Sequence, residues 1–196
     1  MKRAIAGSVV AVVLMTLFFG LAYPLVMTGF ASVAFPSQAQ GSLIKRNGVT
    51  IGSRLAAQAF TSPKYFQERP SATAPAYNAA GTTFANLGPT NPALAKNVAD
   101  AAKAILKLER PYNPGLTIGD IPVDAVTTSA SGIDPEISLA NAALQSRRVA
   151  VVRHLPLATV QTLIKKNTDG RWLGLFGEPG VNVLELNLAL DKLGGK

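Results

Sequence analysis

Cysteine is missing from all 196 residues, which excludes disulfides, thiol nucleophiles, thiolate metal ligands and a cysteine for lipid attachment. Histidine occurs once, as His154 in Arg153-His154-Leu155-Pro156, so no second imidazole shares a metal with it. A serine relay would need that His as its base. No Gly-x-Ser-x-Gly turn is present to raise a serine towards it, and His154 reads as structural. Neither Gly-x-x-x-x-Gly-Lys-Ser/Thr nor Gly-x-Gly-x-x-Gly occurs, so the chain has no recognised phosphate cradle with which to hydrolyse ATP by itself. Asp120, Asp124 and Asp134 stand apart among prolines and glycines without calcium-loop spacing, and read as turn and capping groups.

Charge is missing as well, over the whole stretch from residue 4 to residue 44. Within it, Ile5 to Met27 forms an apolar run long enough, at ~1.5 Å per residue, to cross a hydrocarbon core of ~30 Å. A secretory signal has an apolar region of about 7–15 residues, so this longer run reads as an uncleaved anchor even though Ser37-Gln38-Ala39 resembles a cleavage site. Lys2 and Arg3 precede the run and the next cations are Lys45 and Arg46. The positive-inside bias then keeps the N-terminus cytoplasmic and the remainder extracytoplasmic. Tyr23 and Pro24 fit the far end of the helix, an interfacial aromatic and a proline where the helix kinks or stops. Ala4, Gly7, Ser8 and Ala11 share one face at helical spacing and form a candidate transmembrane packing face against another helix.

What is there beyond residue 36 is one mixed domain. The expected organisation is an anchor with its flanks over 1–36 and a single extracytoplasmic α+β domain over 37–196. Leu43-Ile44 and Val49-Thr50-Ile51 around Asn47-Gly48 predict a two-residue hairpin. Phe60 to Asn91 is rich in small and turn-forming residues and predicts a long loop. Asn91-Pro92 starts a helix carrying Leu94, Val98, Ala101, Ile105 and Leu108 on one face until Pro111. A second helix begins near Asp134-Pro135 or Ser138 and passes Leu139, Ala143 and Leu144 towards Arg148. A third carries Leu157, Val160, Leu163 and Ile164, Trp172 to Phe176 reads as a strand, and Val183 to Leu193 as a closing helix with Leu184, Leu188 and Asp191 at helical spacing. Strands bracketing helices without regular alternation give the α+β class. The formal charge of +8 leaves this part basic, but without the interleaved aromatics of a single-strand binder it reads as solvated surface, with no nucleic acid implied.

Several strings are specific enough to place the chain: Phe60-Thr61-Ser62-Pro63 with Tyr65-Phe66, Arg69-Pro70-Ser71-Ala72, Tyr77-Asn78-Ala79, Asn86-Leu87-Gly88-Pro89-Thr90-Asn91-Pro92, Thr127-Thr128-Ser129-Ala130-Ser131-Gly132-Ile133-Asp134-Pro135, and Val181 to Asp191. With these the chain resembles, over nearly its whole length, the C chain of the Kdp-type potassium-transporting P-type ATPase. Ala80 to Ala85 departs from the Gly-Gly-Ser run more usual there. The resemblance implies a non-catalytic accessory of a high-affinity potassium uptake complex in the cell inner membrane. Its implied partners are a channel-like A chain, an ATP-hydrolysing B chain and a small F chain. It also implies a role in assembly and activity as a catalytic chaperone that raises the B chain's affinity for ATP, with Ser131, Gly132 and Gln145 as nucleotide-related residues. No cofactor or metal is assigned to the chain itself, since ATP and potassium are handled by the complex. The extracytoplasmic topology opposes direct contact with cytoplasmic ATP, so the part from Gly41 onward is expected to show no specific ATP affinity alone. Two other readings are a membrane-anchored extracytoplasmic enzyme or ligand-binding module using the Phe60 to Asn91 loop, and a basic adaptor for anionic lipid built on Arg147, Arg148, Arg153, Lys165, Lys166 and Arg171.

Overall fold

A computed structural model describes residues 1–194, and the chain divides into two units, Met1–Ile51 and Gly52–Lys196. The first unit begins with α1, Lys2–Leu17, and α2, Tyr23–Ala34, joined without a break by a π-helical turn at Phe18–Ala22. The resulting 33-residue run Lys2–Ala34 is apolar and unburied, and is a candidate membrane span by length and composition. The helix does not stop at Pro24. Tyr23 donates its N–H to the Phe18 carbonyl, so the wider turn opens the helix just before the residue that has no N–H and whose ring crowds the preceding turn. The helix ends instead at Phe35, which leaves helical geometry at φ −137 ahead of Pro36.

After a single turn, α3 (Pro36–Ala39), the hairpin forms as expected from strands β1, Leu43–Arg46, and β2, Val49–Ser53. Asn47 and Gly48 sit at φ 51 and 80, the paired left-handed positions that a type I′ turn requires and that these two residues tolerate best.

The second unit mixes helix and sheet. β3 (Glu136–Ser138), β4 (Thr168–Asp169) and β5 (Gly180–Asn182) make an antiparallel sheet in the order β3-β5-β4. Its helices are α4 (Pro92–Glu109), α5 (Val123–Val126), α6 (Leu139–Val152), α7 (Leu157–Lys166) and α8 (Val183–Leu193). Caps fix three of the starts: Asn91, Ser138 and Asn182 each accept a hydrogen bond from an amide of the first turn. The three aspartates behave as turn and cap groups. Asp120 closes a capping box with Thr117, Asp134 accepts from the Glu136 amide, and Asp124 accepts from both the amide and the hydroxyl of Ser138.

The core is Phe66, Ile137, Ala142, Val149, Ala150, Val160, Ile164, Val181, Val183, Leu186 and Leu190. Several expected faces are displaced. On α4 the expected residues are half-buried, and the deepest positions are Ala102, Leu106 and Glu109, one step round the helix. On α6, Leu139 and Ala143 face outward while Asn141, Gln145, Ser146 and Arg148 face inward. On α8 the deepest residues are Val183, Leu186, Asn187 and Leu190 rather than Leu188 and Asp191. Trp172 to Phe176 is no strand but a tight turn closed by one bridge between its end residues. Its short run of large apolar residues imitates a strand, and the central Gly174 turns the chain instead.

Candidate functional site

Residues 54–91 contain no helix or strand, yet Phe66 within them is fully buried. Buried backbone groups need partners, and here side chains from α6 and α8 supply them. Asn187 brackets Phe66, accepting from its amide and donating to its carbonyl, both at 2.9 Å. Gln145 does the same for the next residue, accepting from Gln67 N at 2.7 Å and donating to Gln67 O at 3.0 Å. Arg148 donates to the carbonyls of Pro63 and Tyr65, and Arg153 to that of Lys64. A primary amide carries donor and acceptor side by side, as a strand neighbour would, so two side chains replace a missing β ladder.

Arg148 is fully buried and lies 2.7 Å from Glu109, itself 1 % exposed. Burial raises the Glu109 pKa and the guanidinium pulls it back, leaving it above its ordinary value. A further donation to Gln145 Oε1 at 2.8 Å, and the Gln145 bond to Asn141 at 2.9 Å, join Glu109, Arg148, Gln145 and Asn141 into one layer anchored on Asp124. Arg148 is thus removed from the basic surface on which the sequence placed it, because the loop's carbonyls need its donors. Arg153 pairs with Asp191 and Arg171 with Glu178, so two of the five remaining cations are compensated.

Of the three residues singled out by resemblance, Gln145 has both amide oxygen and nitrogen occupied within this layer. The cavity beside it measures about 50 Å³, against ~300–1,000 Å³ for ordinary ligand pockets. Ser131 is exposed and its hydroxyl accepts from the Ile133 amide. Gly132 is buried at φ +72, donates to Ser129 and accepts from Ser71. A Cβ there would lie 2.8 Å from both the Thr73 methyl and the Thr83 carbonyl. Gly132 and Gln145 therefore meet the same loop at different points, Gly132 at Ser71 and Thr73, Gln145 at Gln67.

Two more carboxyls shape this face. Glu68 is buried with neither oxygen in a hydrogen bond of normal geometry. Desolvation raises its pKa to about 9, with Asp134 adding to the effect and the Gln58 backbone amide opposing it. Tyr77 is pushed up to about 12, by burial first and by Glu68 second. Arg69 pairs with Asp134 at 2.9 Å. The strings around Asn86 to Leu94 and Val126 to Ala130 converge on an open groove of about 520 Å³. No ionisable side chain lines it, so it offers amides, hydroxyls and apolar surface but no acid, base or charged nucleophile. Among the described residues, no group of three or more His, Cys, Asp or Glu side chains is placed to hold a metal ion.

In the first unit, Ala4, Gly7, Ser8 and Ala11 are all exposed along α1. Ser8 returns its hydroxyl to the Ala4 carbonyl at 3.0 Å, which satisfies it without a partner and leaves the small-residue face smooth. Sequence reasoning missed Asn141, Glu109 and Asn187. Asn141, Gln145 and Arg148 stand at i, i+4 and i+7, a readable helical stripe, but a polar stripe ordinarily faces water.

The comparisons with known proteins span both units. The family model for KdpC, the K+-transporting ATPase c chain, matches residues 5–192. The potassium-transporting ATPase KdpC subunit of Burkholderia orbicola strain MC0-3 is 53 % identical over 192 residues, covering 97 % of each chain. That of Methylobacterium nodulans is 48 % identical over 208 aligned positions, covering 100 % of each. That of Polaromonas naphthalenivorans is 50 % identical over 194, covering 98 % of this chain and 96 % of the relative. By a match that takes in the apolar helix, the side-chain-pinned loop and the closing helix alike, the chain belongs to the KdpC family, the c chain of the K+-transporting ATPase.

Proposed function

We propose that this chain is a non-catalytic accessory subunit of a high-affinity, ATP-driven potassium uptake complex of the cell inner membrane, working with A, B and F chains. The observation that carries this reading is the family match over 5–192. The N-terminus is cytoplasmic, residues 1–36 are the anchor with its flanks, and 37–196 are extracytoplasmic, as Lys2 and Arg3 ahead of an uncharged run favour. Ala4, Gly7, Ser8 and Ala11 receive a helix of a larger subunit.

The chaperone effect on ATP affinity is a long-range coupling in this reading. Gln145 is saturated and Gly132 is spatially filled, so Gly132 and Gln145 act by holding the loop in the shape that partners meet, and Ser131 by shaping the turn that carries Gly132. Coupling free energies of this kind are about 1–3 kcal/mol and reciprocal, so ATP strengthens the chain's association by the factor with which the chain strengthens ATP binding. Calorimetry on the full chain in detergent is expected to show no saturable ATP binding, while the assembled complex shows potassium-stimulated hydrolysis that weakens when the chain is omitted. Saturable binding by the chain alone, lost in Gln145→Ala with the fold intact, would replace coupling with a direct site.

A further inference from the structure

Residues 170–178 are exposed without interruption. Their tip carries Trp172, Leu173, Leu175 and Phe176, each at least 60 % exposed, with the Trp172 and Phe176 rings 5.8 Å apart. Scattered surface leucines need no explanation, but four large apolar side chains on one small turn do. Four of the turn's amides bond within it. Trp172 N donates to Phe176 O at 2.8 Å, Gly174 N to Arg171 O at 3.0 Å, and Leu175 N and Phe176 N to Trp172 O at 3.1 and 3.0 Å. This bonding lowers the cost of entering the lipid interface, since an unpaired group in hydrocarbon costs several kcal/mol. A protein partner imposes no such cost, since it can supply the missing bonds.

Leu173 is held at φ 52, a conformation that costs an L-residue roughly 1–2 kcal/mol. Its side chain projects outward, so that strain supports no packing inside the unit. Lys165 and Lys166 stand exposed at the end of α7 shortly before the turn, cations of the kind that sit among headgroups. The same chain carries a 33-residue apolar helix, and a protein tethered to a bilayer makes a second, weak contact with it at high effective concentration.

We propose that the Arg171–Gly177 turn is a lipid contact, seating Trp172, Leu173, Leu175 and Phe176 at the headgroup–acyl boundary of the membrane in which the chain is anchored. Trp172 is the sole tryptophan and reports the contact directly. The full chain is reconstituted without partners in phosphatidylcholine/phosphatidylglycerol vesicles, with and without brominated acyl chains. The expected result is blue-shifted emission, loss of most intensity in brominated vesicles and weak quenching by aqueous iodide, all retained at high salt. Leu175→Asp is expected to shift the emission to the red and abolish the bromine effect, with circular dichroism unchanged. Should that variant misfold, Phe176→Ser gives the same comparison, and the wild-type readings stand regardless. Water-like emission that iodide quenches and bromine does not would overturn the proposal. Protection that appears only when the other subunits are added would make the turn a protein interface instead. Quenching that high salt removes would reduce the contact to electrostatics and overturn the apolar seat.

Discussion

Two irregular segments of the second unit treat their backbones in opposite ways. Residues 63–67 dip into the core at Phe66 and borrow hydrogen bonds from Asn187, Gln145, Arg148 and Arg153. Residues 171–176 lie outside the core and bond to themselves. The first is ordered by the rest of the protein, so its shape transmits any change in α6 or α8. The second is ordered locally, so its side chains are free to meet something else. A loop's lack of secondary structure thus says nothing of its rigidity; the source of its hydrogen bonds does.

The comparison breaks most severely at Arg148. Arg148→Ala strips donors from two loop carbonyls and leaves Glu109 buried without its cation, and a destabilisation of about 3–5 kcal/mol is expected in chemical unfolding. Arg148→Met with Glu109→Leu separates the two losses. Recovery to wild-type stability would mean that the loss in Arg148→Ala comes from the orphaned Glu109 carboxylate and not from lost loop anchoring.

Gly132→Ala tests the same segment from its other side. It places a Cβ against Thr73 and a backbone carbonyl in left-handed geometry, and a loss of about 1–3 kcal/mol follows. An unchanged midpoint would show that the 71–83 loop yields easily and is not a rigid surface.

Glu68 sharpens the contrast through pH. Its folded pKa, about 9, lies above that of the unfolded chain, so its contribution is fully present below the ordinary carboxyl range and is lost as pH rises towards about 9. Glu68→Gln should flatten that decline and leave the variant about 1–3 kcal/mol more stable than wild type at pH 8. Parallel stability profiles from pH 5 to about 9 would show that Glu68 is better solvated than its burial implies.

The smallest effect belongs to the exposed turn. Leu175→Ser removes a side chain 76 % exposed and should change unfolding free energy by less than about 0.5 kcal/mol. A larger loss would mean that the turn is not independent of the core.

Local signals carried much of this architecture. The Asn47-Gly48 hairpin, the Asn91-Pro92 start of α4 and the extent of α8 over Val183–Leu193 were legible because turn chemistry, capping and period each act within a few residues. β3, β4 and β5 were not, since strands of two or three residues display no period. Trp172 to Phe176 showed the reverse failure, a pattern without a partner strand.

The sequence by itself determined the membrane-length helix, the absence of thiol and histidine-pair chemistry, and the family strings, because composition, length and exact wording need no tertiary context. Only the tertiary structure decided what Arg148, Gln145 and Asn187 are for. A polar side chain on a helix reads as solvent-facing until something buries it. Here that something is a loop with no ladder of its own, whose unpaired amides and carbonyls in the interior select polar side chains at positions where an amphipathic helix would otherwise place leucine.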